Sequence, residues 1–178
     1  HHGIWGKGNG TFPANMYDTS VKVPFIAYRA DGWLKGHVVD EMVSQYDIYP
    51  TIADILNAPI TDDKYLPGKS FLPILEGGEY SECESLVVFD EYGPTRMIRT
   101  DRDKLVLRMP YGPDEYYDIK NDPNEDINLI SSEDCSERIE YLKSKLINWF
   151  AEYSDPKFDG SAQGVTGFGQ MYEMGIKS

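Results

Sequence analysis

The chain has 178 residues, of which 40% are hydrophobic and 13% aromatic, enough to bury a core and too rich in rings for a disordered segment. Seventeen Lys and Arg stand against thirty Asp and Glu, a formal charge of −13 that argues against nucleic acid or an anionic membrane as partner. No apolar run approaches the roughly 18–20 residues of a membrane-spanning helix.

Residues 1–15 read as a glycine-rich loop holding His1, His2, Trp5 and Lys7. Domains rarely begin inside such a loop, so the chain reads as a piece whose front part is missing, with no signal peptide in view. Val21 to Ala27 is a short apolar run with β-branched residues and reads as a buried strand; 36–39 reads as a second, shorter one. A helix is predicted over 44–57. Ser44 and Asp47 fit a capping pattern, Pro50 belongs in a first turn, and Ile48, Ile52, Ile55 and Leu56 make one apolar stripe.

Residues 58–84 form a connector with turns at Pro67-Gly68 and Gly77-Gly78 and one helical turn over 71–76. Four short strands follow, at 85–90, 96–100, 104–109 and 115–119, and the short turns between them imply an antiparallel meander. Ser136 to Tyr153 is a helix with Ile139, Leu142, Leu146, Trp149, Phe150 and Tyr153 on one face. Residues 157–178 are a glycine-rich tail. Cys83 and Cys135 show no Cys-x-x-Cys or Cys/His metal spacing.

Lys7 lies between Gly6 and Gly8, where backbone can approach a ligand closely, and an ammonium beside backbone donors suits a sulfate or phosphate oxygen. A Gly-Lys-Gly loop is also an ordinary solvated turn, and the spacing of a nucleotide-binding P-loop is absent. His1 and His2 are either native or the end of a purification tag. His37 reads as a satisfied histidine, Asp101-Arg102-Asp103 as a turn, and Trp149 and Phe150 as core. Arg96 closes a loop that either lies at the surface or reaches a substrate pocket to meet a carboxylate or second sulfate.

Several blocks, in order, resemble the sulfatase family of the alkaline-phosphatase superfamily. His2-Gly3-Ile4-Trp5-Gly6-Lys7 is similar to its His-Gly-x-Trp-x-Lys segment, and Tyr17-Asp18-Thr19-Ser20-Val21-Lys22-Val23-Pro24 to the strand after it. Asp47-Ile48-Tyr49-Pro50-Thr51 resembles the family's Pro-Thr helix, and Gly68-Lys69-Ser70-Phe71-Leu72-Pro73 its connector. Arg99-Thr100-Asp101-Arg102-Asp103-Lys104 resembles a family hairpin. Glu115 to Leu129, with Asp122-Pro123 and Asn128-Leu129, resembles a family signature.

The resemblance implies an α/β fragment. Residues 1–79 would end the large mixed sheet of a catalytic domain, 80–156 would form a small domain of four antiparallel strands and one helix, and 157–178 a tail. It implies a parent enzyme that cleaves sulfate esters of a sulfated glycan or an aryl sulfate, with calcium and a formylglycine nucleophile upstream. Neither cysteine stands in the nucleophile motif, and the metal-ligand pairs are not in this sequence, so the chain alone is expected to be inactive. Lys7 would touch a sulfuryl oxygen and His2 would donate a proton to the leaving group. Phosphonate or phosphate ester hydrolysis by the same superfamily, or a non-catalytic interaction module, are the alternatives. An unpaired sheet edge at 21–27 would favour self-association.

Overall fold

The computed structural model describes residues 15–155, apart from 31, 34, 35, 62, 63, 81, 82, 91–94, 110 and 111. Its elements in chain order are α1 (Asp18–Val21), α2 (Ile48–Ile55), α3 (Leu72–Leu75), β1 (Leu86–Phe89), β2 (Thr95–Arg99), β3 (Lys104–Arg108), β4 (Glu115–Tyr117) and α4 (Ser136–Tyr153). Two compact units emerge, one of Phe25–Leu86 and one joining the residues up to Pro24 to those from Val87 onward.

The second unit is the predicted meander with its helix. The sheet order is β1-β2-β3-β4, with β2 and β4 both antiparallel to β3. The hairpin between β2 and β3 is closed by Thr100, whose hydroxyl accepts the amides of Arg102 and Asp103 and donates to Asp103 Oδ1. All five residues of β3 are buried, so the strand is covered on both faces. Alternation along the strand assigns those faces. Leu105 and Leu107 join Ile98, Val87 and Tyr116 against Ile139, Leu142, Leu146 and Phe150 of α4. The predicted helix is thus present with its predicted inward face. Each such leucine contributes roughly 1.5–3 kcal/mol by leaving water.

On the opposite face Met97 and Val106 pack with Met16, with Val21 and Val88 beside them. The segment of residues 15–21 is therefore a third layer over the sheet. Asp18–Val21 makes one helical turn and residues 22–29 carry no regular structure, so the strand expected over 21–27 does not form here. A strand needs the ladder hydrogen bonds of a neighbour, and among the described residues no strand pairs with this stretch. The strand expected at 36–39 is likewise not formed.

In the unit of Phe25–Leu86, the helix expected over 44–57 is a 3-10 turn at Gln45–Asp47 running into α2. The capping box is formed, with the Ser44 amide donating to Asp47 Oδ2 at 2.6 Å. The orientation of α2 reverses expectation. Pro50, Thr51 and Ala53 are buried, whereas Ile48, Ile52 and Leu56 are exposed, Leu56 to 68%. The inward side is fixed by polar ties to the connector. Lys69 N donates to Asp47 Oδ1 at 2.9 Å, and Phe71 N donates to the Thr51 hydroxyl at 3.0 Å. Cys83 and Cys135 are free thiols.

Candidate functional site

Beneath residues 15–18 lies a cluster of four charged side chains. Lys104 begins β3 on the same face as Val106 and has 0% exposure. Its ammonium donates to the Met16 carbonyl at 2.9 Å, to Asp18 Oδ1 at 2.5 Å and to Glu125 Oε1 at 2.6 Å. Arg99, the residue paired with Lys104 across β2 and β3, forks onto both oxygens of Asp18 at 3.1 and 2.9 Å. Glu125 uses its second oxygen to accept the Asp18 amide at 2.7 Å. Beside it the rings of Tyr17 and Tyr117 stand 6.1 Å apart.

Two cations and two anions balance here, which an interior of low polarity requires. Burial pushes the Asp18 carboxyl up, but its hydrogen bonds and charge contacts with Arg99 and Lys104 outweigh that and hold it below the ordinary carboxylate range. Burial and the hydrogen bond with Tyr17 push the Tyr117 phenol well up.

A second node ties α4 to the β2–β3 turn. Asp103, with no exposed side-chain surface, takes a forked pair from Arg138 at 2.6 and 2.9 Å and the Tyr116 hydroxyl at 3.1 Å. Burial raises the Asp103 carboxyl, and the bonds from Arg138 and Thr100 more than reverse this. Farther on, Asn128 Oδ1 accepts the amides of Tyr116 and Ile130, sealing the outer side of β4.

Of the residues expected to act on a ligand, His2 and Lys7 lie outside the described residues. Arg96 lies on β2, 6% exposed, with its guanidinium over the ring of Phe150. His37 is exposed, the Asp101-Arg102-Asp103 segment is a turn, and Phe150 is core with Trp149 packed on its margin. Sequence reasoning passed over Asp18, Arg99, Lys104 and Glu125 as a group. The available signal is that all four stand inside the blocks carrying the family resemblance, and that a lysine stands directly before the apolar run Leu105-Val106-Leu107. Among the described residues no three His, Cys, Asp or Glu side chains are placed to hold a metal ion. No helix there is long and apolar enough to cross a membrane.

The profile of the family "N-sulphoglucosamine sulphohydrolase, C-terminal" matches residues 10–152. The chain belongs to the sulfatase family, in its C-terminal region. An arylsulfatase of Clostridium perfringens is 30% identical over 166 residues, 90% of this chain and 34% of that protein. The uncharacterized sulfatase YidJ of Escherichia coli is 32% identical over 162 residues, 87% of this chain and 30% of its own length. Among solved structures, the phosphonate monoester hydrolase of Agrobacterium radiobacter aligns with a TM-score of 0.54 at 26% identity, covering 65% of this chain and 26% of that one. The chain thus spans about a third of the length of the curated sulfatases it matches. The charged cluster joins three of the sulfatase-like blocks, those around Asp18, Arg99 to Lys104 and Glu125.

Proposed function

We propose that this chain is the C-terminal part of a sulfuric ester hydrolase acting on a sulfated glycan or an aryl sulfate. The observation that carries the reading is the family match over residues 10–152, supported by the arylsulfatase at 30% identity. In this reading His2 and Lys7 belong to the active site. Breaking the ester bond places negative charge on the leaving oxygen and on the sulfuryl oxygens, and a fixed ammonium at Lys7 stabilises that charge more in the transition state than in the ground state. His2 donates a proton to the departing alcohol. Calcium and formylglycine belong to the parent protein's remaining length.

The chain carries neither nucleophile motif nor metal-ligand pair, and by itself it should leave para-nitrophenyl sulfate intact in the presence of calcium. In the full-length enzyme Lys7→Ala should lower kcat by about a hundredfold with a smaller change in KM, the usual cost of removing one preorganised electrostatic donor. Unchanged kcat and KM in that variant would overturn the assignment. A second reading, a phosphonate monoester hydrolase, is favoured by the structural likeness to the Agrobacterium radiobacter enzyme. Comparing kcat/KM for an aryl sulfate and an aryl phosphonate monoester with the full-length protein decides between them.

A further inference from the structure

Residues 16–21 lie on the sheet as a strap, fastened differently from α4. The core between the sheet and α4 draws on all four strands and contains none of residues 15–21. Its polar node, Asp103 with Arg138, Tyr116 and Thr100, is likewise built without them. On the opposite face the strap contributes one buried apolar side chain, Met16, and its single turn α1 has no buried residue. Directional, charged ties supplement that contact. Arg99 holds both oxygens of Asp18, Lys104 holds Asp18 and the Met16 carbonyl, and Glu125 holds the Asp18 amide.

These charges divide unequally between strap and sheet. Lys104 and Glu125 remain paired whether or not the strap is seated, because both belong to the sheet unit. Glu125 is held by its own turn, its amide donating to the Asp122 carbonyl at 3.0 Å. Breaking a buried ion pair is severe when it leaves one charge buried and alone. Here Lys104 keeps Glu125, the Arg99 side chain is already 18% exposed, and Asp18 departs with the strap into water. Lifting the strap thus strands no buried charge and leaves the core under α4 whole, the conditions for a segment to open by itself.

The chain leaves the sheet unit after Pro24 and re-enters it at Val87. Val21 and Val88, beside these two crossings, pack on the same group of Met16, Met97 and Val106. We propose that residues 16–21 are a charge-keyed clasp: they open and close as one piece while the sheet and α4 stay folded, which frees the first crossing and leaves the second in place. Asp18 is the key, since it alone in the strap meets both cations with a carboxylate.

The test is native-state hydrogen exchange on the full-length protein, read on peptides from residues 16–22, β3 and α4 at several low denaturant concentrations. A local opening exposes little surface and barely responds to denaturant, whereas global unfolding responds steeply. The reporting amides are those of Asp18, Val21 and Lys22, which donate to Glu125 Oε2 and to the carbonyls of Tyr17 and Asp18. A single turn does not persist unsupported, so lifting exposes them together. They should exchange at least about tenfold faster than the core of α4, with a flat denaturant response. Asp18→Asn keeps the shape and removes the charge, and should speed them about tenfold further while β3 and α4 stay as they were. Arg138→Gln, which loosens the other node, should speed β3 and α4 and leave residues 16–22 unchanged. Equal denaturant slopes for strap and α4, or an equal response of both to either variant, would make the strap part of one cooperative unit and overturn the inference. An Asp18→Asn strap that exchanges like wild type would overturn it too, since apolar contact would then hold the strap. Should Asp18→Asn fail to fold, Arg99→Gln, which leaves the Lys104–Glu125 pair intact, replaces it under the same expectations.

Discussion

The guanidinium carbon of Arg96 lies 3.7 Å from the centroid of the Phe150 ring, joining β2 to α4 across the buried face of the sheet. Desolvated contacts of this kind contribute about 2 kcal/mol, and the aliphatic stem of the arginine adds packing. Arg96→Ala should lower stability by roughly 2 kcal/mol, and Arg96→Lys by less, since a compact ammonium stacks less well than a planar fork. Denaturant midpoints at constant slope measure this. A midpoint that stays in place, with a raised KM in the full-length enzyme, would instead place Arg96 on the ligand.

Acid should weaken the sheet unit through its paired carboxylates. Asp18 and Asp103 both titrate below their ordinary value of 3.8 in the folded chain. Between the folded and unfolded values the unfolded chain binds more protons. The stability they contribute is therefore full above about pH 4 and disappears as the pH falls through the folded values. From pH 8 to 5 these two groups contribute no slope. Thermal midpoints measured down to pH 2.5 should show the decline beginning near pH 4, and Asp103→Asn should flatten it at the cost of a lower midpoint at pH 7.

Gly68 is required by close approach. A Cβ built there would collide with the Tyr46 carbonyl oxygen, a backbone atom with little room to yield. Gly68→Ala should cost about 3 kcal/mol, the upper end of ordinary overpacking, and should loosen the tie between Lys69 and Asp47. Faster amide exchange at Lys69 and Phe71, with β3 unaffected, would register it.

The contrast between α4 and α2 shows where sequence reasoning reaches. In α4 the apolar spacing names the inward face correctly, because the sheet that covers it lies in the same chain. In α2 the same logic selects Ile48, Ile52, Ile55 and Leu56, yet Ile55 is only half-buried, the other three are exposed, and the buried residues are Asp47, Pro50, Thr51 and Ala53. Periodicity identifies a face able to be covered; it does not say by what, and a polar capping box can hold the opposite side inward. The meander was legible from its turns. The cluster around Lys104 was not, because pairing Asp18 with Lys104 needs the third layer over the sheet, and that layer has no periodic signature. Its residues were visible as motif letters, without their geometry.

Phe25, Ile26 and Tyr28 are exposed, Ile26 to 89%, in a stretch that carries no regular structure. Apolar side chains on unpaired backbone invite pairing with another copy. The isolated chain should gain apparent mass with concentration in light scattering, and Ile26→Lys should suppress the gain. A monomer that keeps its mass at high concentration and binds no hydrophobic dye would refute this.

Zero exposure at Lys104 has a chemical corollary. Amine-reactive acylating reagents need an unhindered, deprotonated nitrogen, and this one is enclosed and donates to a carbonyl and two carboxylates. In the folded protein Lys104 should stay unacylated while exposed lysines such as Lys120 react. Its modification, read by mass spectrometry as a function of time, would then report how often the N-terminal layer lifts from the sheet, with no engineered probe.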